Sequence, residues 1–173
     1  FTTNKIKAAP VILSQQRLKS GRATAVVVNS GGANAFTSEP GLADAVEMAN
    51  LVVKSRGLAP EEVLVASTGV IGERLPMELI RAGIGRIVLS HDGGHDFARA
   101  IMTTDTVPKE VAVTADGFTI GGVAKGSGMI HPQLGTLLCF LTTDADVELD
   151  FLKVTLRQAV DISFNMLSID GDT

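Results

Sequence analysis

Apolar residues in the first half of the chain fall into two alternating kinds of run. Leu42, Ala45, Val46, Ala49, Val52 and Val53 recur at helical spacing, and Gly57 with Pro60 marks where that helix stops. Ahead of it, Ala23-Thr-Ala-Val-Val-Val28 is continuous and β-branched, the pattern of a buried strand ending at polar Asn29. A second buried strand is predicted at Val63-Leu-Val-Ala66, breaking at Ser67-Thr68-Gly69. A short helix over residues 10–19 precedes both, with Pro10 in its first turn and Gly21 beyond its end.

The second half begins in the same way and then changes period. Pro76 opens a helix that runs through Met77, Leu79 and Ile80 towards Leu89, although Gly83 and Gly85 weaken its middle. Gly93-Gly94 breaks it, and a short helix is expected over 95–102. From Lys109 the pattern alternates: Val111 and Val113, a turn at Ala115-Asp116-Gly117, then Phe118 and Ile120. That is a hairpin. An apolar strand follows over 135–142, and an amphipathic helix from Asp150 carries Leu152, Leu156, Ala159, Val160 and Ser163. Early helix–strand alternation with later hairpins predicts a mixed, layered α/β fold.

Composition narrows the function classes. The chain has 173 residues, 45% of them apolar and 20% charged, the balance of a globular protein with a real core. A net charge of −4, with no Trp or Tyr, speaks against a nucleic-acid partner. No stretch approaches the roughly 20 apolar residues that span a bilayer, so no membrane partner is expected. The single Cys139, in an apolar run, reads as a buried inert thiol. Phe1 in place of Met, and an end at Thr173, read as cuts through a longer protein.

Three loops rich in Gly, Ser, Thr or Asn follow apolar strands, over 29–35, 67–72 and 125–129. In α/β proteins such strand ends collect sites, although glycines also serve simply as turns. None has a phosphate-binding fingerprint, and there is no GxSxG elbow. His91, His95 and His131 form no metal motif, because glycines interrupt the helix that would align the first two. No metal or resident cofactor is expected. Asp105, between Thr104 and Thr106, reads as a turn or cap residue rather than a general acid. Thr136 by itself is a β-branched residue opening a strand. Gly135 before it has no Cβ, so the peptide between them can be strained and closely approached. A threonine hydroxyl there can attack that carbonyl, and hydrolysis of the resulting ester leaves a free α-amine to act as its base.

Several motifs in order resemble one family. They are Ala25-Val-Val-Val-Asn-Ser-Gly31 with Ala33-Asn-Ala35, Val65-Ala-Ser-Thr-Gly-Val-Ile-Gly72, Met102-Thr-Thr-Asp-Thr106 and Ala124-Lys-Gly-Ser-Gly-Met-Ile130. Pro132, Thr136 and Asp170-Gly-Asp-Thr173 complete the pattern. The chain resembles the bifunctional ornithine acetyltransferase and N-acetylglutamate synthase family of arginine biosynthesis, which has a layered α/β sandwich of the ornithine acetyltransferase and DmpA-like type. Departures occur at Gly135, for a more usual alanine, at Gln133 and Leu134, and at Gly32 and Phe36 in the first loop.

The resemblance implies a precursor cut between Gly135 and Thr136 into an α segment (1–135) and the start of a β segment (136–173). Acetyl would pass from N-acetylornithine to the Thr136 hydroxyl and on to glutamate, with acetyl-CoA left open as a second donor. Thr68 and Gly69 fall on the oxyanion-hole pair, and Lys125 on a substrate-contacting lysine. The substrate threonine falls on Thr103, with Thr104 as the alternative. Paired α and β subunits would assemble as a heterotetramer in the cytoplasm, or in the mitochondrial matrix of a eukaryote. Two other readings remain. A related self-processing aminopeptidase or amidohydrolase would share the nucleophile but release acyl groups to water. A non-enzymatic ligand-binding α/β module would leave the precursor uncut.

Overall fold

The computed structural model describes residue 2 and residues 4–132 and 137–172. The chain divides into two compact units, one over Thr3–Ser90 and the other over His91–Thr173.

In the first unit, α1 (Ala9–Arg17), β1 (Ala25–Gly32), α2 (Ser38–Arg56), β2 (Val63–Val70) and α3 (Met77–Arg86) follow the predicted alternation. The two strands pair in parallel, Val27 opposite Val65 and Asn29 opposite Ser67. Ala45, Met48 and Ala49 of α2 pack with Val27, Val63 and Val65 in the core, as the helical spacing required. The outer edge of β2 is sealed by side chains of α1. Ser14 Oγ donates to the Val65 carbonyl at 2.8 Å and accepts its N–H at 3.0 Å, and Arg17 donates to the Val63 carbonyl at 2.7 Å. A strand edge that would otherwise present free backbone groups is thereby satisfied.

Two boundaries differ from the expected ones. Both strands continue past their apolar cores, through Asn29 to Gly32 and through Ser67 to Val70, where turns were expected. The reason is mutual: each polar tail meets the other in register, Ser30 opposite Thr68 and Gly31 opposite Gly69, so backbone pairing replaces turn chemistry. Helix α3 stops at Arg86 rather than near Leu89. The Ile87 carbonyl instead accepts from Arg56 at 2.8 Å.

Asn34 secures the entry to α2. It is fully buried at positive φ (49°), donates to the Gly41 carbonyl at 2.8 Å, and accepts from the Thr37 hydroxyl at 2.8 Å. Replacing it with alanine removes both bonds and places a Cβ residue without a local partner in the left-handed region. In the full-length protein Asn34→Ala is expected to cost about 2–3 kcal/mol, read as a lower urea midpoint at unchanged slope. A midpoint within error of wild type would refute this.

The second unit holds α4 (Gly94–Ala100), a three-stranded antiparallel sheet ordered β3 (Lys109–Ala115), β4 (Phe118–Lys125), β5 (Leu138–Thr143), and α5 (Leu149–Asp161). The predicted hairpin is present. Asp116 and Gly117 both have positive φ, 52° and 86°, the type I′ geometry that matches the twist of the strands. Helix α4 lies on this sheet through Phe97, whose ring meets Phe140 edge-on at 5.2 Å. Glu148 caps α5 by accepting the Asp150 and Phe151 N–H groups, which holds its carboxyl below the usual range. Among the described residues no helix is long and apolar enough to cross a membrane.

Candidate active site

The residues singled out by sequence fall into a group on each unit. In the first, Thr68 and Gly69 lie inside β2, just before its end at Val70, rather than in a loop beyond it. Thr68 is buried. Gly69 has φ +133°, and a Cβ there would lie 2.2 Å from the carbonyl carbon of Gly31. Only a residue without a side chain lets the two strand tails approach so closely. Alongside, Asn29 Oδ1 and Ser67 Oγ are buried without a hydrogen-bond partner among the described residues. These two register-paired atoms were not anticipated as a polar pair; their position at the polar tails of two apolar strands was the available signal.

In the second unit, Lys125 is the final residue of β4 and is only 5% exposed. Its Nζ donates to the Thr103 hydroxyl at 2.7 Å, joining two candidate residues that are 22 positions apart in sequence. Burial pushes the Lys125 ammonium down from its ordinary pKa; the charge of Asp105 opposes this and that of Lys109 adds to it. Of the two threonines left open, Thr103 therefore meets the lysine. Thr104 instead shares a 2.7 Å hydrogen bond with Ser127 Oγ.

Asp105 plays a larger part than its sequence position disclosed. It does serve its own turn, accepting the Thr103 N–H at 3.2 Å. It also reaches the Gly126 N–H at 2.7 Å and the Lys109 ammonium at 2.5 Å. Burial alone would raise its pKa, but hydrogen bonds from Lys109, Gly126 and Thr103 bring it down to about 2. Asp105 is thus a carboxylate at neutral pH, which suits a fixed acceptor and not a general acid. The turn role was legible in the sequence; the pairing with Lys109 and the reach across to Gly126 were not.

Gly135 and Thr136, the predicted cleavage site and nucleophile, lie outside the described residues. Nearby, Met129 N–H donates to Asp170 at 2.9 Å, and Ile130 exchanges backbone hydrogen bonds with Ile169. The segment preceding the predicted cut is therefore tied to the Asp170-Gly-Asp motif. Cys139 is half-buried, and burial pushes its thiol pKa up, the opposite of activation. His95 pairs with Glu110 at 2.6 Å on the surface. Among the described residues no cluster of His, Cys, Asp or Glu is arranged to hold a metal ion. An apolar hollow of about 470 Å³ between α4 and the sheet is lined by Phe97, Gly121, Gly122 and Phe140, and none of the candidate residues lines it.

Comparison with known proteins decides the family. The model of the ArgJ family matches residues 1–173. The chain belongs to the ArgJ family. Within it, the chain is 53% identical over its whole length to the arginine biosynthesis bifunctional protein ArgJ of Dehalococcoides mccartyi, covering 44% of that protein. It is 50% identical to the glutamate N-acetyltransferase of Methanosarcina mazei, covering 45% of it. The chain thus spans less than half the length of these curated relatives. Among solved structures, the ornithine acetyltransferase of Mycobacterium tuberculosis, complexed with ornithine, is similar with a TM-score of 0.72 and 46% identity. The match covers 80% of this chain and 75% of that one. The ArgJ protein of Bacillus halodurans is similar with a TM-score of 0.69 and 42% identity, covering 80% and 74%. These likenesses place the mixed α/β fold within the ArgJ family's own architecture.

Proposed function

We propose that this chain belongs to a glutamate N-acetyltransferase precursor that transfers acetyl from N-acetylornithine to glutamate through an acetyl-Thr136 ester. The observation that carries the reading is the 2.7 Å hydrogen bond from buried Lys125 to Thr103. Two residues selected from separate motifs of the resemblance meet as an ammonium and a hydroxyl, the groups that recognise a substrate carboxylate. The names of the Methanosarcina and Mycobacterium relatives support the same chemistry.

The steps balance without a cofactor. Thr136 Oγ attacks the Gly135 carbonyl, the acyl group shifts from nitrogen to oxygen, and water hydrolyses the ester. This leaves a Gly135 carboxylate, ending the 1–135 segment, and a free Thr136 amine that begins the next. That amine accepts the hydroxyl proton as Thr136 Oγ attacks the acetyl carbonyl of N-acetylornithine. The Thr68 hydroxyl and the Gly69 N–H donate to the developing oxyanion. Ornithine departs with the proton on its amine. The glutamate amine then attacks the acetyl ester, releasing N-acetylglutamate and restoring the hydroxyl. The cut segments remain together as α and β subunits, two of each in the assembly.

The test uses the full-length protein with acetyl-labelled N-acetylornithine. Label in N-acetylglutamate, strictly dependent on added glutamate, is the expected result; labelled acetate irrespective of glutamate identifies a hydrolase instead. Label in neither product, from folded protein, rules the chemistry out. Running acetyl-CoA in parallel decides whether it is a second donor.

A further inference from the structure

We propose that Asp105 is a positioning residue for this transfer, its carboxylate locking the Thr103 turn to the Lys125 loop. The inference rests on the assignment of Lys125 and Thr103 to substrate binding made above. Its geometry is independent of that assignment. The Asp105 side chain is completely withdrawn from solvent and accepts from two backbone segments at once. One is the N–H of Thr103, whose own hydroxyl receives Lys125 Nζ. The other is the N–H of Gly126, the residue directly after Lys125. A single carboxylate therefore fixes the backbone on both sides of the Lys125–Thr103 hydrogen bond. Gly126 adopts φ +145°, a conformation that L side chains rarely reach, so the loop geometry at this contact depends on glycine.

The charge matters as much as the geometry. An ammonium that is 5% exposed loses most of its hydration, which favours the neutral amine. The Thr103 hydroxyl supplies an acceptor but no charge. Among the described residues, the charged groups acting on Lys125 are Asp105 from the turn and Lys109 from β3, with opposite signs. Lys109 also sits on the Asp105 oxygen that Gly126 uses, so it partly offsets the carboxylate. Asp105 thereby opposes the loss of charge that burial favours at Lys125, and N-acetylornithine and glutamate each bring an α-carboxylate for that lysine to bind. Replacing Asp105 with its isosteric amide retains an acceptor and removes the charge.

The experiment compares processed full-length enzyme carrying Asp105→Asn, Lys125→Met, both together, or Lys109→Met, with KM and kcat followed from about pH 6 to about 10. Asp105→Asn is expected to raise KM about tenfold at mildly alkaline pH with a smaller change in kcat, and to shift the alkaline limb down by about one pH unit or more. In the Lys125→Met background the same change should add far less to KM than it does in wild type, because only its hold on the Thr103 turn is then left to lose. Lys109→Met should move the limb upward. An unmoved limb in Asp105→Asn, with losses that add in the double variant, overturns the inference while leaving the function reading intact. If Asp105→Asn does not fold and process, Lys109→Met decides alone, and a limb at or below the wild-type position overturns it. Undiminished activity in Lys125→Met removes that lysine from substrate binding, and this inference with it.

Discussion

Thr136→Ala is expected to leave the full-length precursor as one uncut chain and to reduce acetyl transfer by about 10⁴-fold or more. Both effects follow from one atom. In the proposed mechanism, cleavage needs the Oγ of Thr136 as the group that attacks the Gly135 carbonyl, and transfer needs the same Oγ to carry the acetyl group. No water-mediated route replaces either at a comparable rate, since the geometry that holds an internal hydroxyl against the neighbouring carbonyl substitutes for a very high effective concentration. The measurement is denaturing intact mass with N-terminal sequencing, alongside the transfer assay. Wild type is expected to give two chains, the second beginning Thr-Leu-Leu-Cys-Phe. Thr136→Ser, which keeps the hydroxyl, is expected to restore cleavage at a reduced rate. Two chains from Thr136→Ala would remove this residue from the mechanism altogether.

Gly69→Ala is the second large effect, and it acts through the backbone. At φ +133° an alanine is strained wherever its methyl points. Here the methyl also has nowhere to go: it would lie 2.2 Å from Gly31 C, 2.4 Å from Gly31 O and 2.6 Å from Gly32 N. All three are main-chain atoms, which no rotamer change moves aside. The strand tails must separate, at a cost of about 3–4 kcal/mol. Separation also displaces the Thr68 hydroxyl and the residue 69 N–H from their proposed oxyanion position, worth about 10²–10³ in rate for one donor. Gly83→Ala provides the contrast, since a Cβ there meets nothing within 4 Å in the middle of α3. That change should stabilise by about 0.5–1 kcal/mol. Urea midpoints of the two variants, with the rate of Thr136 acetylation for the first, settle the comparison. A Gly69→Ala midpoint equal to wild type would mean that the strand tails are not tightly paired.

Legibility from sequence divides along physical lines. Helix α2 and the β3–β4 hairpin were readable because their information is local: a helical stripe ended by Gly57, and an Asp-Gly pair able to take positive φ twice. The tails of β1 and β2 were misread as loops because Asn-Ser-Gly-Gly and Ser-Thr-Gly are turn-forming compositions. What makes them strands is a partner 38 positions away in register, and no window along one segment contains that partner. The candidate site divides similarly. Motifs selected Thr68, Gly69, Thr103 and Lys125, but a list of residues does not say which of them touch. The contact of Lys125 with Thr103, and the reach of Asp105 to Gly126, arise only when a turn after α4 and the end of β4 come together.

The order of strands in the second sheet bears on how such an enzyme ages. The central strand β4 lies before residue 135, and its partner β5 lies after residue 136, paired from Ile120 with Thr143 to Lys125 with Leu138. A cut at that junction, as proposed, would break none of those ladder hydrogen bonds, so its product should run as a single particle under native conditions and as two polypeptides in detergent. It nevertheless erases the tether that made this pairing unimolecular during folding. Before the cut, an unfolded chain recovers by itself; afterwards, recovery needs two strangers to meet, and it slows with dilution. The proposed self-processing would therefore work as a ratchet, in which the uncut precursor can refold by itself and the cut enzyme refolds only as fast as its two pieces find each other.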